Sequence, residues 1–297
     1  MTYDDIVAVF FNPTDQPAPL VTTSVARRLR DALEPIATHG WWSRQPMERL
    51  ASLGLGFFDA YVWGRAAALG TPTPSVVAAT FGVFDPTFIG AVYERAASAA
   101  SRHAVLEARA AGAAESLASL VSASDASAIA DPLLDALDGL DGMGRPLFSA
   151  LRELPLPTTP QGRLWRAAEL VREHRGDGHL AACVAAGLDS VEANVFTELW
   201  LGYTVGEYSG TRGFGPDRLA TAVTSLQARG WARGSALTSA GVEARVVLEN
   251  ATDASQAALI ARLGDDVERI IAAAGKISDT MIAAKAFPPD PRKRAAG

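Results

Sequence analysis

Apolar positions recur at helical spacing along most of the chain. After Thr22-Thr23-Ser24, the run Val25, Leu29, Ala32, Leu33 and Ile36 predicts a helix, with Arg27, Arg28, Arg30 and Asp31 facing outward and Pro35 kinking or ending it. A second pattern starts after Pro46, runs through Phe57, Phe58, Tyr61 and Trp63, and is expected to bend at Gly54 and Gly56. Gly70-Thr71-Pro72-Thr73-Pro74 breaks the chain; helices come next from Ser75 and from Asp85-Pro86, then over 107–120, 126–138 and Pro146–Leu151. Ahead of all these, Asn12-Pro13, Pro17 and Pro19 predict an extended arm whose Phe10-Phe11 pair docks on a core. Three prolines within Leu154–Pro160 remove backbone donors and fix φ, so the domain boundary is placed there, dividing 1–157 from 158–297.

The second half predicts a helix over Arg163–Arg175, a turn at Gly176-Asp177-Gly178, and a further helix from His179 capped by Asp177. Asp189-Ser190-Val191-Glu192 has capping-box spacing and opens a helix to about Tyr203. Pro216 starts another, with Leu219, Ala222, Val223 and Leu226 inward at i, i+3, i+4, i+7. Trp231-Ala232-Arg233 and Ala236-Leu237 read as two short strands joined at Gly234-Ser235, and Thr238 caps the next helix. A last helix over Ala254–Ala286 carries Leu259, Leu263, Val267, Ile270, Ile271, Ile277 and Ile282, a seam expected to meet the N-terminal domain or a second subunit as a homodimer. The Pro288–Arg294 tail reads as disordered. The expected fold is all-α with a short β-wing: a helical N-terminal domain, then a winged helix-turn-helix domain and a long C-terminal helix.

Composition narrows the function classes. Apolar residues make up 48% of 297, enough for real cores, and the single cysteine, Cys183, lies in an apolar helical run and suits a buried role in a reducing compartment. The acidic N-terminus is unlike a signal peptide, and Val76–Val92 is interrupted by Gly82 and Asp85-Pro86; a cytoplasmic protein with no membrane partner is expected. The net charge of −6 sits wholly in residues 1–157, with 11 basic and 17 acidic side chains; residues 158–297 balance. Neither half has the cationic surplus that phosphate-backbone binding needs, which argues against DNA as a partner.

Trp165-Arg166, the string Arg172–His179, Ala185-Ala186-Gly187-Leu188, Arg229-Gly230-Trp231 and Leu237-Thr238-x-x-Gly241 together resemble a SalK-like group of bacterial proteins with a C-terminal helix-turn-helix domain. Gly64-Arg65-Ala66-Ala67-x-Leu69-Gly70, Phe84-x-Pro86 and Gly144-Arg145-Pro146-Leu147-Phe148 extend the resemblance over roughly residues 25–275. It implies a helical fold bearing a winged helix and no particular reaction. The wing alone, about forty residues, is similar to multiple-antibiotic-resistance-type regulators, which supports fold more than function.

Two constellations could carry chemistry. Glu173, His174, Asp177 and His179 could form an acid–base cluster, or else a structural joint; either histidine is expected to titrate near neutral pH. The five-residue His spacing across a turn is not that of a helical metal pair, and no metal is expected. The aromatic concentration between Trp41 and Tyr93 could be ordinary core or the lining of an apolar ligand pocket; Trp41, Trp42, Phe58, Tyr61 and Phe84, with Arg172 and Arg175, are the candidate binding residues. Adjacent tryptophans cannot both face one core, so one should face a groove. Phosphate-loop, dinucleotide-binding, Cys-cluster and nucleophile-elbow patterns are missing, and no cofactor is identified. The expected function is binding of a small hydrophobic or aromatic molecule. Enzymatic chemistry at Glu173–His179 is the first alternative, and a winged-helix DNA-binding regulator, reading bases through Arg218, is the second.

Overall fold

The computed structural model describes residues 3–14 and 23–296. The N-terminal half consists of α1 (Tyr3–Phe10), α2 (Val25–Ala37), α3 (His39–Trp42), α4 (Arg44–Ala51), α5 (Phe57–Ala66), α6 (Pro74–Phe81), α7 (Pro86–Ala99), α8 (Arg102–Ala118), α9 (Ala123–Leu137) and α10 (Pro146–Arg152). Then come α11 (Pro160–Ala185), α12 (Ser190–Leu201), a 3-10 turn over Ser209–Arg212, and α13 (Pro216–Ala228). Strands β1 (Ala232–Arg233) and β2 (Ala236–Leu237) pair antiparallel, Ala232 opposite Leu237, and α14 (Ser239–Ala254), α15 (Ala257–Leu263), α16 (Asp266–Ala283) and α17 (Pro291–Ala296) complete the chain. The all-α architecture with a short β-wing is therefore as expected. Among the described residues no single helix is long and apolar enough to cross a membrane.

Side-chain caps from Ser, Thr or Asp start several of these helices: the Oγ of Ser24 accepts from Arg27 N at 3.0 Å, and Asp189 and Glu192 form a reciprocal capping box at α12. One apolar core draws on both sides of Pro157, packing Leu33, Ile36 and Phe148 with Trp165, Ile270 and Met281. A second, aromatic core fills the space among α1 and α3–α8, and a third lies among α12, α13, the wing and α14.

Four expectations are corrected. Residues 3–10 of the arm are helical rather than extended, although Phe10 and Phe11 do dock, on Trp42 at 5.5 and 5.9 Å between ring centroids; Pro17 and Pro19 lie outside the described residues. The long C-terminal helix is two helices, α15 and α16, although their apolar seam does meet the N-terminal half as expected, closing on α2 and α9. The tail is not free: the guanidinium of Arg292 lies 4.0 Å from the ring centre of Tyr203, and Arg294 O accepts from Arg30. Arg27 and Arg30 are buried rather than outward, because carboxylates reach them: Glu249 Oε2 lies 3.1 Å from Arg27 and Asp31 Oδ1 2.8 Å from Arg30.

Candidate functional site

The polar string does not form a turn. α11 runs unbroken through Gly176-Asp177-Gly178, because it is buried on nearly all sides and tertiary packing overrides the local turn preference. Gly178 has a specific reason: a Cβ there would collide with the side chain of Ser255 after α14. On an unbroken helix successive side chains diverge by about 100°, so Glu173, His174 and His179 point apart, while Glu173 and Asp177, four residues apart, share a face.

Glu173 takes two arginines, Arg65 Nη2 at 2.8 Å and Arg172 Nη1 at 3.0 Å. Burial works against its charge, but those two guanidiniums hold its carboxyl below the usual range. His174 Nδ1 lies 2.8 Å from Gln256 Oε1, and His179 Nδ1 lies 2.9 Å from Thr252 Oγ1. Burial depresses both, to about 4 and about 3, so contrary to expectation neither titrates near neutral pH. Asp177 does not cap the segment after it; its Oδ2 accepts from Leu147 N and Phe148 N, at the start of α10. No hydrogen bond joins any two of the four among the described residues. Nor does any group of three metal-ligating side chains stand close enough to hold an ion among those residues.

The aromatic candidates do converge. Trp41, Trp42, Phe58, Tyr61, Phe84 and Arg172 line one cavity of about 720 Å³, mouth included. The rings brace one another at tilted or edge angles, Trp41 on Tyr61 at 5.3 Å and Tyr61 on Phe84 at 5.8 Å between centroids. Trp41 is buried and Trp42 half-buried, and both reach the cavity from the short helix α3. The seventh candidate, Arg175, lines a neighbouring polar cavity of about 900 Å³ with Glu173, Asp177 and His179. Glu34, Tyr61, Arg172, Tyr208 and Arg212 belong to the walls of both.

Sequence reasoning missed Glu34, Tyr208, Arg212, Phe287 and Lys293 as lining residues. They come from α2, from the turn before α13 and from the C-terminal segment, so only the tertiary fold assembles them. Glu34 is buried with Arg172 Nε at 3.2 Å from its Oε1, while its Oε2 stands 3.7 Å from Arg30 Nη2 and accepts no hydrogen bond. Asn194 Oδ1 is likewise unsatisfied on the polar cavity's wall, and each such buried acceptor is a place a ligand donor could fill.

Beside the cavities, α12, α13 and the wing form the helix-turn-helix unit. Thr238 Oγ1 accepts from Gly241 N at 3.1 Å, and a Cβ on Gly241 would strike the Trp231 backbone, which explains the Leu-Thr-x-x-Gly spacing. The exposed face of α13 is thinly cationic: Arg218 is taken by Asp85, and Arg229 reaches the carbonyls of Ala186 and Gly187 and the Glu192 carboxylate.

Fold and site thus define an all-helical protein in which a helix-turn-helix unit abuts an aromatic, arginine-bearing cavity. The chain matches the model of a helix-turn-helix family over residues 26–288 and belongs to that family. No curated protein and no solved structure matches it.

Proposed function

We propose that this protein binds a small aromatic or hydrophobic molecule in the cavity beside its helix-turn-helix unit, as a cytoplasmic protein of specialised metabolism or stress. The observation that carries this reading is the convergence of Trp41, Trp42, Phe58, Tyr61 and Phe84 with Arg172 on a single space of about 720 Å³. That aromatic lining, with a few charged and hydroxyl groups among it, suits a ligand with an apolar body and polar anchors. The SalK-like resemblance is compatible with it. A thermal-shift screen of aromatic compounds tests it: a ligand at about a hundred times its Kd adds about 2.7 kcal/mol of stability. Phe58→Trp, which fills the space from a half-buried position, should abolish that shift. A screen with no hit, or hits indifferent to Phe58→Trp, overturns the reading.

Family membership favours a second reading, a DNA-binding regulator using α13 and the wing. The ion pairs that occupy Arg218 and Arg229 weigh against tight duplex binding by this conformation. The enzymatic alternative has less support, since Glu173 is doubly ion-paired and both histidines of the string are turned away from it.

A further inference from the structure

Around the two cavities arginines are matched to carboxylates. Arg30 has Asp31 at 2.8 Å, Arg65 has Glu173 at 2.8 Å, Arg172 has Glu173 at 3.0 Å, and Arg175 has Asp253 at 3.0 Å. Arg212 and Lys293 break the pattern. Among the described residues no carboxylate lies within ion-pairing distance of either.

Among those residues Arg212 donates to neutral oxygens, Tyr208 Oη at 2.6 Å and Thr211 Oγ1 at 3.2 Å, and its buried Nε has no partner. Its guanidinium lies 5.0 Å from the ring centre of Phe84 and 4.2 Å from that of Tyr208. Lys293 Nζ stands 5.7 Å from the ring centre of Phe10 and 5.6 Å from that of Tyr203. Burial, reinforced by the Arg212 charge and only partly opposed by the more distant Asp290 and Glu207 carboxylates, lowers its ammonium below the ordinary range. Two partly desolvated like charges facing one cavity favour an anion between them, even though the whole chain carries −6.

We propose that the aromatic cavity selects an aromatic monoanion of the carboxylate class, its ring body against Trp42, Phe58 and Phe84 and its anionic head between Arg212 and Lys293. This rests on the cavity being a ligand site. The neutral partners of Arg212 leave its Nε–H free to donate to the head group, and α17 supplies Lys293 to the same cavity. The aromatic rings fix the body, and the cation pair sets the charge that the ligand must carry.

Calorimetric titration of the full chain with 2-naphthoate and its neutral analogue 2-naphthamide, and with benzoate and benzamide, tests this. Charge-assisted hydrogen bonds predict that one or both acids bind about tenfold or more tighter than the matching amide. Arg212→Gln and Lys293→Met should each erode that preference, the ratio of acid to amide affinity being the readout, and far-UV circular dichroism with a thermal melt reports that each variant is folded. Amides that bind as tightly as acids overturn the anion selection and leave the aromatic site standing. A preference untouched by Lys293→Met and, in folded protein, by Arg212→Gln places the anion elsewhere and also overturns it. If none of the four probes binds, the cavity reading falls with it.

Discussion

Asp177 caps a helix thirty residues before it: its Oδ2 accepts from Phe148 N at 3.0 Å while it sits inside α11. Burial pushes its carboxyl up to about 6, against the lowering effect of the two backbone donors. A folded-state value above the unfolded one means that the protonated form is favoured by folding. That contribution is full below the unfolded value of 3.8 and is lost as pH rises through about 6. Asparagine keeps an acceptor oxygen and carries no charge. Asp177→Asn should therefore match or exceed wild-type stability at pH 7.5, whereas Asp177→Ala should cost about 1–2 kcal/mol through the lost cap. Urea unfolding of both variants checks this; an Asn variant as weak as the Ala variant would show that the charge itself matters.

The buried histidines set the opposite slope. His39, His174 and His179 are depressed to about 3, 4 and 3 by burial, from 6.5. Their stabilisation is present above pH 6.5 and is lost as pH falls, because the unfolded chain takes up protons that the folded one refuses. Each should remove roughly 1.4 kcal/mol per pH unit below 6.5, down to about pH 4. Asp177 offsets one such increment between pH 6 and 3.8. Unfolding free energies measured at pH 7.5, 6.0 and 5.0 should fall steeply, and His179→Gln should flatten the fall. A pH-independent stability across that range contradicts the assignment.

Particular residues explain why some of this was legible in the sequence and some was not. The caps at Ser24, Asp189 and Thr238 act over three residues, so local sequence reveals them. The aromatic cavity was legible in part because α3, α5 and the α6–α7 junction lie close together in the chain. Of its cations, Arg172 was legible but Arg212 and Lys293 were not: they arrive from distant segments, the latter from a proline-rich stretch with no apolar periodicity. The glycines at 176 and 178 resemble a turn, yet the constraint on Gly178 is the approach of Ser255, which no local pattern encodes. Amphipathic reasoning turned Arg27 outward because Glu249, its partner, lies 222 residues away.

In the helix-turn-helix unit, Gly241 packs directly on the Trp231 backbone at the start of α14. Gly241→Ala has no room for its methyl and should cost about 1–3 kcal/mol by overpacking. Because the wing lies outside the aromatic cavity, naphthamide affinity of the folded variant should remain that of wild type. A fully stable Gly241→Ala protein would mean that α14 and the wing move apart freely.

Duplex DNA should bind weakly at physiological salt. Arg218 on α13 is engaged by Asp85, and residues 158–297 carry no net charge, so few phosphates can be neutralised. Electrophoretic mobility or fluorescence anisotropy with genomic fragments should show no sequence-specific complex at nanomolar protein. A specific complex abolished by Arg218→Ala would establish α13 as a base-reading helix instead.

Asp85 joins the wall of the aromatic cavity to the entry of α13. Its Oδ1 caps α7 by accepting from Thr87 N and Phe88 N, each at 3.0 Å. Its own N–H donates to Arg212 O at 2.9 Å, and its Oδ2 holds Arg218 in the first turn of α13. Movement of Arg212 in the cavity wall therefore bears on Asp85 and, through it, on the entry to α13. Asp85→Ala removes the cap and the ion pair but keeps the backbone N–H. It should cost about 1–2 kcal/mol, most of it from the cap. Hydrogen exchange should then quicken at the start of α7 and around 215–221, while the rest of the third core keeps its protection. Asp85→Asn preserves an acceptor for the cap and weakens only the hold on Arg218, so it should quicken exchange in α13 alone. If Asp85→Asn leaves exchange in α13 at the wild-type rate, the Asp85–Arg218 pair does not restrain that helix, and the cavity has no mechanical path to it through Asp85.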